Sequence, residues 1–270
     1  MKVIDRGGGT PVVLIPGIQG RWEWIKPAID ALAQRCRVIT FSLADEPSTD
    51  ARFDESRGFW CYVELVREAL DAAGVPRAAI CGLSYGGLIA AAFAARYPER
   101  AASLILVSAL PPSWRPERRV RFYARAPRVL TPVFLLASLR LYREIAAASG
   151  GVVRGAVAGL RHAWRALTHM SSPPLMVRRV AFLASVDFTA ELTRITQPTL
   201  VVTGEPSLDR IVPVSHAIRE YAALCPHARF VTLQRTGHLG LITRPDAFAQ
   251  LVVSFADAAV HATAPRRLVG

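Results

Sequence analysis

Ser84, His238 and a carboxylate from Asp209 or Glu205 are the side chains of this 270-residue chain whose types and order could do chemistry together. A serine hydroxyl is a weak nucleophile until a base takes its proton. An imidazole serves as that base when a carboxylate fixes its tautomer and stabilises the imidazolium that forms. Ser84 is the centre of Gly82-Leu83-Ser84-Tyr85-Gly86, a G-x-S-x-G pattern. Chance alone supplies that pattern about once in ten chains of this length, so its surroundings must decide what it means. A developing oxyanion needs two donors. The Tyr85 backbone N–H, next after the serine, is one candidate, and the Ile18 N–H in "LIPGIQG" is the second, with the Gln19 side chain as a further possibility.

Competing residues are less well placed. His162 and His169 fall within a helical stretch, His216 at a helix start, His227 before a strand and His261 in the tail. Only His238 lies in the loop just after the last strand-like run, in "FVTLQRTGHLG". Among the acids, Asp209 is favoured because it precedes the "RIVP" turn, and Glu205 in the same loop is the alternative. Asp45, Glu46, Asp50 and Asp54 share an earlier polar loop and are expected to be solvated. Asp187 is expected to cap or order a helix, and Asp246 to sit in a first helical turn, where acids are favoured by the helix dipole.

The elements that must hold these residues alternate. Short apolar runs at Val12–Ile15, Val38–Phe41, Ala78–Cys81, Leu104–Val107, Thr199–Val202 and Phe230–Leu233 read as buried strands. Between them lie helical patterns at Trp22–Gln34, Phe59–Ala73, Ser84–Tyr97 and Val214–Leu224, and a last one at Pro245–Val260. Such alternation predicts an α/β fold: a mostly parallel, doubly wound sheet covered by helices on both faces. The alternation fails from 111 to 186, where the pattern is helical and broken by prolines and Gly150-Gly151. This predicts a core of residues 1–110 and 187–270 with a helical cap, 111–186, inserted over the carboxyl ends of the strands, where open α/β sheets place their sites. Ser84 then stands on a tight strand–turn–helix, with Gly82 and Gly86 where a Cβ would clash and a helix N-terminus behind it.

Charge is concentrated in the same insertion. The segment from Ser113 to Ala181 holds thirteen arginines against two acids, Glu117 and Glu144, so it carries +11 of the chain's net +12. Arg118, Arg121 and Arg125 share one helical face, and Arg154, Arg161 and Arg165 share another. Three readings stay open: a solvated face, an acidic substrate, or weak contact with an anionic membrane surface. Nucleic acid is not expected, because Trp114, Phe122, Tyr123 and Trp164 are few and helical. The apolar residues Val133, Phe134, Leu136, Leu139 and Ile145 are expected to line an acyl-accepting pocket beneath the cap.

Cys36, Cys61, Cys81 and Cys225 lack metal-site spacing and are expected to be buried, reduced thiols. No metal and no cofactor are expected. Apolar runs near Leu88–Ala95 and Val133–Leu139 fall well short of the roughly 18 residues that span a bilayer. "MKVIDRGGG" lacks the features of a signal peptide, so a cytoplasmic location is the default expectation. Oligomeric state is left open.

With "PGIQG", "GLSYGG", "GEPSLDRIVP" and "TGHL" in this order, the chain from about Thr10 to Ala258 resembles the cap-bearing branch of the α/β-hydrolase superfamily. The resemblance implies Ser84 as nucleophile, Asp209 as acid and His238 as base. It also implies an acyl-enzyme route for an ester-like small-molecule substrate. Three departures stand out. Pro16 occupies the place where the family often has histidine, Asp209 lies five positions after Gly204 where three is common, and the N-terminal strands are reduced to about Val3–Asp5, so fewer than eight strands are expected. The same triad could serve carbon–carbon bond hydrolysis, cofactor-free haloperoxidation or acyl transfer, and a non-catalytic binding protein on this scaffold is the alternative from another class.

Overall fold

The computed structural model describes residues 1–132, 141–183 and 186–263. Seven strands form one sheet in the order β1-β3-β2-β4-β5-β6-β7. They are β1 (Val3–Arg6), β2 (Pro11–Ile15), β3 (Arg37–Phe41), β4 (Ala78–Leu83), β5 (Ala101–Val107), β6 (Thr199–Thr203) and β7 (Arg229–Thr232). β2 to β7 run parallel, and β1 pairs antiparallel with β3, Val3 opposite Phe41. The central strands β4 and β5 are buried at every position, which is why they read as unbroken apolar runs rather than as alternating ones.

Alternate residues of β2 feed two separate apolar clusters. Val13 and Ile15 pack with helices Trp60–Ala72 and Tyr85–Arg96 on one face. Val12 and Leu14 pack with helices Lys26–Ala33 and Pro245–Thr263 on the other. The helix expected over Trp22–Gln34 divides into a 3-10 turn, Trp22–Ile25, and an α-helix from Lys26. Pro27 stands in the first turn of that helix, where its missing N–H costs nothing. All four cysteines are buried and unpaired with one another.

Between β5 and β6 the described chain forms helices Arg118–Arg125, Tyr142–Ser149, Val152–Thr168, Pro173–Phe182 and Phe188–Thr193. Asp187 caps the last of these through the N–H groups of Thr189 and Ala190, and its Phe188 and Leu192 enter the core. Val133, Phe134, Leu136 and Leu139, offered above as pocket lining, lie outside the described residues. Ile145 is buried.

One expectation fails in the loop after β3. Helix Pro173–Phe182 lies across that loop, so Glu46 is buried rather than solvated, and it pairs with Arg179 at 2.7 Å. Asp45 pairs with Arg178 at 2.6 Å, and that guanidinium also stacks on the Phe53 ring at 4.1 Å. Asp50 is exposed, as expected.

Candidate active site

Strands β2, β4, β6 and β7 end at the same edge of the sheet, and each delivers part of the site from the loop that follows it. Ser84 follows β4 with φ 53° and ψ −115°, a conformation that L-residues avoid, and caps helix Tyr85–Arg96. Its N–H donates to the Val107 carbonyl at 2.8 Å and its own carbonyl accepts from Gly87 at 2.9 Å, so the strain is held by both neighbours. A Cβ at Gly82 would run into the Gly86 carbonyl, and one at Gly86 into that of Pro16. The turn therefore closes only with glycine at both positions. Tyr85 and Gly86 open the helix, where N–H groups have no intrahelical acceptor.

The loop after β2 lies alongside. A Cβ on Gly17 would be 3.6 Å from the Ser84 Cβ, and the turn closes by a Gly20 N–H to Gly17 carbonyl bond of 2.9 Å. Ile18 belongs to this turn. Its carbonyl is occupied, accepting from Arg179 Nη1 at 2.8 Å.

Asp209 and His238 come together from the loops after β6 and β7. His238 Nδ1 lies 3.5 Å from Asp209 Oδ2, with both side chains nearly buried. The other Asp209 oxygen accepts from the Ile211 and Val212 N–H groups at 2.8 and 2.9 Å, which fixes the carboxylate in place. Burial would raise the Asp209 carboxyl. The His238 ring and the two amides outweigh it and hold the carboxyl below its ordinary value. Glu205 is engaged elsewhere, accepting from the Arg235 N–H at 2.6 Å. The five-residue spacing is absorbed by a turn over 206–208, in which Leu208 and Asp209 donate to the Glu205 carbonyl at 3.0 and 2.9 Å. Gly237 packs so closely on that turn that a Cβ would sit 2.8 Å from the Asp209 nitrogen.

A cavity of about 20 Å³ opens among Gly17, Gln19, Arg21, Trp24, Leu83 and His238, room for one water molecule. Gln19 thus faces the same space as His238.

Two buried charges at this site carry no local sequence signal. Glu144, on helix Tyr142–Ser149, accepts from the Leu239 N–H at 2.6 Å and ties that helix to the loop carrying His238. Burial pushes its carboxyl up to about 7, against the Gly237 and Leu239 amides and the His238 ring, which lower it. Arg179, fully buried, ties helix Pro173–Phe182 to the Ile18 carbonyl and to Glu46. Burial pushes the Glu46 carboxyl up despite that guanidinium.

The geometry offers a strained serine at a helix N-terminus and a carboxylate-backed imidazole at the same sheet edge. Among the described residues no cluster of histidine, cysteine or acids fits a metal ion, and no helix is long and apolar enough to cross a membrane.

Residues 10–245 match the profile of the alpha/beta hydrolase fold, and the chain belongs to that family. It is 28% identical over 256 residues to a poly(3-hydroxyalkanoate) depolymerase of Ectopseudomonas oleovorans, covering 91% of this chain and 84% of that protein. It is 27% identical over 266 residues to a 2-hydroxy-6-oxo-6-phenylhexa-2,4-dienoate hydrolase of Burkholderia cepacia, covering 93% and 89%. The enol-lactonase structure from Burkholderia xenovorans LB400 superposes with a TM-score of 0.74 at 22% identity, covering 94% of this chain and 95% of that one. The chain is an enzyme of the hydrolase class with a mostly parallel seven-stranded sheet.

Proposed function

We propose that the protein is a serine hydrolase that cleaves a carboxylic ester or related acyl bond through an acyl-enzyme. Ser84 Oγ attacks the carbonyl carbon while His238 takes its proton. Asp209 holds the imidazole in the tautomer that accepts at the far nitrogen and stabilises the imidazolium. The Tyr85 and Ile18 amides receive the oxyanion. The tetrahedral intermediate collapses as His238 returns the proton to the leaving alcohol. Water, deprotonated by the same imidazole, then attacks the acyl-enzyme and releases the acid and Ser84. The helical segment 111–186 acts in this reading as a cap that bounds the acyl side of the site.

The observation that carries the reading is the backbone of Ser84, held at φ 53° beside the loop that supplies Ile18. A serine that merely filled a loop would gain nothing from that strain. The depolymerase named above makes polymer cleavage by a relative of similar length a useful precedent for ester substrates. Turnover of a panel of acyl esters by wild type and Ser84→Ala tests the reading. The substitution should lower kcat by about 10⁴–10⁶, and undiminished turnover would refute it.

A further inference from the structure

Helix Val152–Thr168 packs by its smallest residues and exposes its largest. Gly155 and Gly159 seat it against helix Tyr142–Ser149, where a Cβ would come within 3.3 Å of Ala146 Cα and 3.4 Å of the Tyr142 ring. Val153, Leu160, Trp164 and Leu167 are 77, 71, 70 and 62% exposed, and Val157 is 43% exposed. Spacings of four, three, four and three residues put these five on a single stripe. Arg154 and Arg161, also exposed, follow Val153 and Leu160 by one residue and so border the stripe along one edge. No carboxylate occurs in the chain between Glu144 and Asp187.

A contiguous run of large exposed apolar side chains marks a surface that is covered in use. A second copy of this chain fits poorly, because facing helices would bring Arg154 and Arg161 against their own counterparts. A partner that is only acidic would pair the arginines and leave the stripe in water. Aliphatic residues and a tryptophan on one face, with arginines at the border and no acids, match a helix lying in the plane of a lipid interface. The far end of the helix is pinned at the site. The Trp24 ring meets His162 edge-on at 5.8 Å, and its Nε1 donates to the His169 carbonyl at 3.0 Å. Trp24 also lines the cavity at His238.

We propose that this face docks the protein on an anionic phospholipid surface. The stripe enters the boundary between headgroups and acyl chains, and Arg154 and Arg161 meet the phosphates. The inference does not depend on the reaction assigned to Ser84.

Flotation with vesicles tests it, comparing phosphatidylcholine alone with phosphatidylcholine containing about one third phosphatidylglycerol. The full-length protein should float with the anionic vesicles and be released as salt is raised. Arg154→Gln with Arg161→Gln should weaken binding about 25-fold, at roughly fivefold per charge. Leu160→Ser with Trp164→Ser should weaken it by about tenfold or more. These positions are exposed, so each variant should keep the wild-type Tm and its turnover of a dissolved short-chain ester. Failure of the wild type to float, or equal flotation by both variants, would overturn the proposal. So would a wild-type dimer in light scattering that Trp164→Ser disperses, which would assign the face to a second copy. Retention on an acidic polypeptide that survives Leu160→Ser with Trp164→Ser, without flotation, would assign it to an acidic protein.

Discussion

Helices Tyr85–Arg96 and Val152–Thr168 draw on similar alanine-, glycine- and aliphatic-rich sequence, yet one vanishes into the protein and the other does not. Every residue from Tyr85 to Ala94 is buried between strands and flanking helices, and its glycines make room for the Ser84 turn. Gly155 and Gly159 likewise allow a close approach, but only on one side, and the large residues opposite have no neighbour sheet to enter. A helix centred on a parallel sheet is covered whatever its pattern, whereas a helix in an insertion is covered only where another element reaches it. In the two proposals made above, chemistry belongs to the first region and contact with a lipid surface to the second.

Breaking the core side of this comparison should have the largest effects. His238→Ala should lower kcat by about 10⁴–10⁶, the same range as loss of Ser84, because the proposed mechanism has the two act as a unit. Additive losses in the double variant would show that they act separately.

The buried charges where the insertion meets the core come next. Arg179→Met leaves Glu46 buried without a partner and should cost about 3–5 kcal/mol, read from denaturant midpoints. Adding Glu46→Gln should restore much of that stability but not kcat, since the Ile18 carbonyl still lacks its guanidinium. Full recovery of both would remove Arg179 from the positioning of the oxyanion loop.

Glu144 sharpens the boundary through pH. Its carboxyl is raised from an ordinary 4.5 to about 7, so the stability it supplies is complete below 4.5 and is lost as pH rises to about 7. Glu144→Gln keeps an oxygen for the Leu239 N–H and cannot ionise. The variant should match wild type near pH 4.5, exceed it by on the order of 3 kcal/mol at pH 7 and keep that margin above. A constant difference across the range would mean that Glu144 is solvated. The smallest effect is expected on the outer face of the insertion, where Leu160→Ser should change stability by less than about 0.5 kcal/mol.

The same division sets what could be read from the sequence. Ser84, Asp209 and His238 each stand in a short segment behind an apolar strand, so local pattern and chain order singled them out as candidates. Which of Asp209 and Glu205 stands beside His238 is shown only by the structure, because it depends on how the turn over 206–208 directs the two side chains. Glu46, Glu144 and Arg179 were illegible for another reason. Each is buried by a partner about a hundred residues or more away along the chain, and nothing local distinguishes a buried arginine from its twelve neighbours in the same segment. For the outer stripe, the spacing of Val153 to Leu167 was present in the sequence, but a helical stripe reads as core until the structure shows which side packs.

Mass spectrometry of the protein treated with a fluorophosphonate tests the central claim most directly. The account predicts a single phosphonyl adduct on Ser84, absent from Ser84→Ala and formed far more slowly in His238→Ala. An unlabelled folded protein, or an adduct on a different serine, would contradict it.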